Sequence, residues 1–231
     1  VQYQALFLSL MLMKKRLTVL ITGFILCLNA SAQKSEWGFI AGPQMTSAHY
    51  TVDGNKQKTE YKPGVHAGAI VRIPFENLLY FTPSFYYSKK GYKVALTDPS
   101  FPPGEDAVSN DVNVHVFEIA PLFNIDLSKK PDHFFVRFGP TIDAAFKGDE
   151  KITLNTGEVV KQDMSFDFAE YGRFTSNVII QFGYETAPGW MIFGHYTHGL
   201  GSMNNADHGP KIKHRIFGVT VGRFFRRDQS R

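Results

Sequence analysis

Between residues 37 and 225, apolar and polar side chains alternate in short stretches with a period of two. That period sends neighbouring side chains to opposite faces of a β-strand, whereas a helix would repeat every 3.6 residues. In the stretch 61–73, Val65, Ala67, Ala69, Val71 and Ile73 share one face, and His66, Gly68 and Arg72 share the other. Phe117, Ile119, Phe123 and Ile125 oppose Glu118, Asn124 and Asp126. Val136, Phe138, Ile142 and Ala144 oppose Arg137, Thr141 and Asp143, and Val178, Ile180, Phe182 and Tyr184 oppose Asn177, Gln181 and Glu185. With the remaining β-forming stretches, the pattern predicts eight strands at 37–49, 61–73, 79–92, 113–127, 134–146, 174–185, 190–198 and 215–225. One face of each is oily and the other carries charge, which fits a membrane barrel, a soluble sandwich or a lipocalin-like barrel.

The connections separate these folds. Loops at 50–60, 93–112, 147–173 and 199–214 are long, and those at 74–78, 128–133 and 186–189 are short. Long and short alternate without exception. Outer-membrane barrels have this asymmetry, because external loops can grow while periplasmic turns stay short. The predicted fold is an all-β, eight-stranded, antiparallel, up-and-down transmembrane β-barrel with both termini periplasmic. Aromatic residues gather near strand ends (Trp37, Phe39, Tyr80, Phe81, Tyr86, Tyr87, Tyr92, Phe134, Phe135, Trp190, Tyr196 and Phe224), as girdles at two membrane interfaces would. The aromatic pair Phe224-Phe225 closes the last strand, ahead of a polar tail at 226–231.

The N-terminal segment changes the chemistry open to the chain. Met13 opens a secretory signal with Lys14-Lys15-Arg16 as its basic region, Leu17 to Leu28 as its apolar region and Ala30-Ser31-Ala32 before the cleavage point. The domain organisation expected is an upstream extension plus signal peptide over 1–32 and one barrel domain over 33–231, exported to the Gram-negative outer membrane. Cys27 is the only cysteine, so a mature chain beginning at Gln33 has neither a disulfide nor a thiol nucleophile. Removing Lys14, Lys15 and Arg16 takes the formal charge from +4 to +1, which gives no basic face for a nucleic acid. No mature segment has eighteen consecutive apolar residues, so no transmembrane helix is expected.

Three stretches carry a resemblance: Phe117-Glu118-Ile119-Ala120-Pro121-Leu122, Val136-Arg137-Phe138-Gly139-Pro140 and Tyr196-Thr197-His198-Gly199-Leu200. On these the chain resembles the porin-family outer-membrane β-barrels of the PorT-like kind. The resemblance covers nearly the whole mature chain, and its motifs mark the scaffold rather than a site. It implies an outer-membrane barrel, and one branch of the group serves protein secretion and gliding.

Eight strands leave a lumen just wide enough for side chains to fill. The inward faces should assemble a polar, ion-paired network from His66, Arg72, Glu118, Asp126, Arg137, Asp143, Gln181 and Glu185, with His195 and Asn177 beside it. Arg72, Asp126, Arg137 and Glu185 fall near the periplasmic end, with Asp126 expected to face Arg137. An unpaired buried ion costs several kcal/mol, so these charges should pair and seal the barrel. A structural plug is therefore the favoured reading over a gated polar pathway, and the expected lumen width speaks against a wide channel.

A lipid A deacylase-like enzyme is the main alternative, since His195-Tyr196-Thr197 resembles the His-x-Ser of such enzymes. Thr197 stands where serine is expected, and the last strand offers no carboxylate to orient His195. A narrow channel or ligand-binding barrel is the third reading. His195, His198, His208 and His214 cluster near the last loop with Asp207, but His195 and His198 should point to opposite faces, so no metal or other cofactor is assigned. The expected partners are outer-membrane lipid and, through the external loops, envelope or secretion-machinery proteins, around a monomeric barrel. Within the longest loop, Lys151-Ile152-Thr153-Leu154 and Gly157-Glu158-Val159-Val160 read as a hairpin rising above the barrel.

Overall fold

The computed structural model describes residues 35–167, 170–207 and 209–225. The expected signal peptide, its cleavage point and the polar tail lie outside the described residues.

Eight long strands form one ring: β1 (Glu36–Val52), β2 (Lys62–Glu76), β3 (Leu79–Ala95), β4 (Ala107–Asp126), β5 (His133–Leu154), β6 (Phe174–Glu185), β7 (Trp190–Gly199) and β8 (Lys211–Phe225). Each pairs antiparallel with the next, and β8 pairs back on β1 from Trp37↔Phe225 to Thr51↔Lys211. Closure satisfies the backbone hydrogen-bonding groups of the ring within the sheet, as hydrocarbon requires. The fold is the expected up-and-down barrel, with both ends of the described chain on the side of the short turns.

The faces are inverted relative to a soluble barrel. Val65, Ile119, Phe138 and Ile180 are each 42–56% exposed, while Arg137, Asp143, Glu118 and Glu185 are at most 3% exposed. Apolar residues look outward around the ring and the charged ones turn to the axis. Trp37, Phe39 and Phe225 form one aromatic cluster near the short-turn end, and Phe134, Phe182 and Tyr184 form another. Four aromatics expected in the girdles are instead buried inside: Tyr86, Tyr92, Phe135 and Phe224. Strand alternation explains the last: Phe225 faces out at 40% exposure, so its neighbour Phe224 must face in.

Glycine makes room for these inward rings. Gly183 lies opposite both Phe135 and Phe193, and a Cβ there would stand 2.4 Å from Phe193 Cβ. Gly68 does the same for Tyr86.

The strands run further past the long-loop end than the alternation predicts. β4 begins at Ala107 rather than residue 113, β5 ends at Leu154 rather than 146, and β8 begins at Lys211 rather than 215. β1 continues to Val52 and turns tightly at Asp53-Gly54, with φ of 46° and 88°, into the short strand Asn55–Lys56. Asp-Gly favours this two-residue hairpin turn because both central residues need positive φ. The hairpin expected in the longest loop is present, since β5 pairs with Val159–Asp163 from Thr153↔Val159 to Asp149↔Asp163.

Candidate functional site: the lumen and its cap

The lumen is filled in layers, each fixed by which strand positions point inward. Nearest the short turns, Arg72 on β2 donates from Nη1 to Glu185 Oε1 at 2.9 Å and from Nη2 to the second oxygen of the same carboxylate. Its Nη2 is 4.0 Å from Asp126 and its guanidinium lies 4.3 Å from the Phe224 ring centre. Glu36 adds a longer contact to Nη1 at 3.4 Å, and His133 Nε2 lies 3.2 Å from Asp126 Oδ2.

Arg137 departs from the expectation. Asp126 pairs across the sheet with Phe135, and Arg137 stands opposite Asn124 instead. Arg137 is fully buried yet forms no ion pair among the described residues. It donates from Nη1 to Gln181 Oε1 at 2.9 Å and from Nε to Asn124 Oδ1 at 3.3 Å, and lies 4.8 Å from the centre of Phe135 and 5.4 Å from that of Phe193. Two amides and two aromatic faces replace the carboxylate. The register differs from the expected one by two residues, which keeps Arg137 inward but changes its neighbour.

Midway up, His66 Nε2 lies 2.9 Å from Thr220 Oγ1 and His195 Nδ1 lies 3.3 Å from the same hydroxyl, with the two imidazoles edge to face at 5.0 Å. The cavity between His66, His195, Tyr86, Glu118 and Gln181 is small, with room for about one water molecule.

Above it lies a group that the sequence reading missed. Lys90 on β3 is fully buried, with its ammonium 2.8 Å from Glu118 Oε1 and 2.8 Å from Asp143 Oδ2. Asp143 Oδ2 also accepts from Thr175 Oγ1 at 3.1 Å and Asn177 Nδ2 at 3.0 Å. The missed signal was phase: Thr82, Ser84, Ser88 and Lys90 alternate with Phe81, Phe85, Tyr87 and Lys89. Adjacent lysines had hidden that only one of them points inward.

The long-loop end is closed by an apolar cap. Tyr50, Tyr92, Val94, Val112, Val114 and Ile212 project inward from the strand extensions, and Met164, Tyr171 and Met203 fold down on them from the loops. Glu150 anchors the lid, accepting from Tyr171 Oη at 2.8 Å, Asn110 Nδ2 at 2.7 Å and Gln162 Nε2 at 2.8 Å. Burial, with the nearby Tyr92 and Glu150, pushes the Tyr171 phenol well above its usual pKa. Tyr50 Oη lies 3.0 Å from Ser100 Oγ, which ties the loop between β3 and β4, with Pro99, Pro102 and Pro103, to the same cap. A second apolar layer (Ile70, Leu122, Ile179 and Phe193 among others) packs inside nearer the short turns. The plug is therefore partly hydrocarbon, where a polar one was expected.

Of the hydrolase candidates, His195 and Thr197 share the inward face, but the ring of His195 is engaged by Thr220 and His66. His214 points inward and His198 outward from the strand ends. His208 lies outside the described residues.

A closed ring with an oily exterior, charged interior and alternating loop lengths defines an outer-membrane β-barrel. Residues 30–205 match the family described as outer membrane protein beta-barrel domain, and the chain belongs to that family. It is a protein of the Gram-negative outer membrane. Among solved structures, it is similar to Ail, the attachment invasion locus protein of Yersinia pestis, at 13% identity, covering 83% of this chain and 99% of that one with a TM-score of 0.44. It is also similar to OprG of Pseudomonas aeruginosa, at 11% identity, 84% and 98% coverage and a TM-score of 0.45. A comparison with curated proteins gave no match.

Proposed function

We propose that this chain is a non-enzymatic barrel with a sealed lumen, oriented with its long loops outside and its termini in the periplasm. Its role is structural or interactive, as a component or accessory of an envelope or secretion assembly of the PorT-like kind. The observation that carries the reading is the closure of the axis at three levels: the Arg72–Glu185 pair, the Lys90–Glu118–Asp143 cluster and the apolar cap. With the interior committed to packing, recognition falls to the exterior. There β4, β5 and the Val159–Asp163 strand form the tallest projection, and rigidly mounted loops are suited to binding.

The hydrolase alternative lacks support at His195. Thr220 Oγ1 lies 3.3 Å from its Nδ1, the His66 ring packs edge to face against it, and among the described residues no carboxylate pairs with it.

Two measurements test the proposal together. In planar bilayers the purified barrel should give no stepwise conductance above the lipid baseline. In crosslinked envelopes a chain with residues 155–158 replaced by Gly-Ser should lose co-purifying proteins that the native chain retains. Discrete ion channels, or crosslinks indifferent to the hairpin, would contradict it.

A further inference from the structure

The outer wall carries charge unevenly. Residues directly opposite each other on paired strands stand side by side on one face. Arg215 on β8 is opposite Ser47 on β1 and His198 on β7. Further toward the long loops, Lys213 is opposite His49, Lys211 is opposite Thr51, and Lys56 joins through its pairing with Thr51. All of these cations are exposed or half-exposed. The charged neighbours of His49 are Arg215, Lys56, Lys213 and His198, with no carboxylate in the set. Among the described residues, Lys56, Lys211, Lys213 and Arg215 form no ion pair. The charge balance changes away from the strip: on the adjacent strand Lys62 pairs with Asp111, and on β5 Lys147 shares its surface with Asp149.

This basic strip stands at the edge of the hydrocarbon. One rung nearer the membrane are Phe217, Met45 and Tyr196, with the Tyr61 ring 5.1 Å from Phe217. From Arg215 to Arg223, at roughly 3.3 Å per residue and a tilt of about 40°, the apolar wall spans roughly 20 Å, close to a membrane's apolar band. Arg215 therefore lies at headgroup level. Two apolar hollows open below it. One, about 370 Å³, is lined by Pro43, Gly194, His195, Phe217, Gly218 and Val219 among others. The other, about 510 Å³, runs along Phe138, Pro140, Val178, Ile180 and Tyr196 up to His198. Pro43, Pro140 and Gly194 on the outer face leave these depressions where the neighbouring strands carry bulky side chains.

We propose that this face is a binding site for an outer-leaflet lipid with a phosphate-bearing headgroup. The phosphate sits on Lys213 and Arg215 beside His198, and acyl chains lie in the two hollows. Cations without carboxylate partners at headgroup height supply the charge complementarity, although Arg215 Nη1 also donates to His214 O at 3.1 Å and Gly199 O at 3.5 Å. The hollows supply apolar area that a free phosphate ion would not use. The site rests on the orientation proposed above but not on any protein partner.

The test uses the whole barrel in detergent, with bound lipid counted by native mass spectrometry. Dioleoyl phosphatidic acid is the probe, dioleoyl phosphatidylcholine the neutral comparison and inorganic phosphate the competitor. Phosphatidic acid should be retained at least tenfold more tightly than phosphatidylcholine, and equimolar phosphate should not displace it. Lys213→Gln/Arg215→Gln should weaken it by a further factor of ten or more, since each cation near an anionic lipid is worth about fivefold. Lys93→Gln/Lys147→Gln on the far wall should leave it unchanged. Gly194→Leu fills the first hollow where a Cβ meets nothing nearer than 3.9 Å, so it should fold normally and still lose lipid. Equal retention of both lipids, equal effects on both walls, displacement by phosphate, or full binding by the Gly194 variant would overturn the site. Should the Lys213/Arg215 variant not fold, the Gly194 variant and the lipid comparison decide alone.

Discussion

Lys90 and Asp143 meet at 2.8 Å although β3 and β5 are not neighbours, so their contact crosses the lumen rather than following the sheet. Glu118 completes the cluster from β4, the strand between them. The barrel is braced at this height by charge and not by backbone pairing alone.

Removing the cation leaves two buried carboxylates facing one another. Lys90→Met should cost about 3–5 kcal/mol, the penalty of an uncompensated buried charge. Adding Glu118→Gln and Asp143→Asn to the same chain should recover most of that loss. Urea unfolding in vesicles, followed by tryptophan fluorescence, checks both. A Lys90→Met barrel as stable as the native one would show that the cluster contributes little.

The Arg72–Glu185 pair should be sensitive to donor geometry. Lysine cannot make the two-pronged contact that Arg72 makes with Glu185, nor lie flat on Phe224, so Arg72→Lys should lose about 1.5–3 kcal/mol. Glu36→Gln weakens a longer, more open contact to the same guanidinium and should cost under about 1 kcal/mol. The same unfolding assay separates the two.

Sequence pattern carried the strands, their faces and the loop asymmetry, because a period of two survives any error in the ends. Strand ends and partners were less legible. The turn around Lys130 and Pro131 does not fix register, so Asp126 was placed against Arg137 when Phe135 is its partner; a slip of two residues moves no side chain to the wrong face. Lys90 was invisible beside Lys89, as the period alone does not say which of two adjacent lysines turns in. The long-loop extensions were lost because Asp111, Asp149 and Lys151 look like loop residues, yet their inward neighbours Val112, Glu150 and Ile152 help build the cap.

Interior glycines and exterior ones should behave differently. Gly183→Ala drives a methyl against Phe193 and the Ile192 carbonyl and should cost about 1–3 kcal/mol. Gly194→Ala meets open space on the outer wall and should stay within about 0.5 kcal/mol of native. A reversed order would mean that the rings do not pack as described.

Charge on the oily wall should be costly in proportion to depth. Ile180→Arg places a cation at mid-membrane and should destabilise by about 2–4 kcal/mol. Thr156→Arg, at the exposed turn of the external hairpin, should change stability by less than about 0.5 kcal/mol. Folding yield into vesicles, read by heat-modifiable gel migration, reports the difference directly.

The inversion of faces and the sealed axis can be read from a single scan along β6. Spin labels at single cysteines from residue 177 to 182, in a chain whose one native cysteine is Cys27, would be tested for collisions with oxygen and with a water-soluble nickel complex. Labels at 178, 180 and 182 should collide with oxygen alone, and labels at 177, 179 and 181 with neither. Nickel reaching 177 and 181 would reveal an open aqueous lumen, and oxygen favouring those positions over 178 and 180 would turn the barrel inside out.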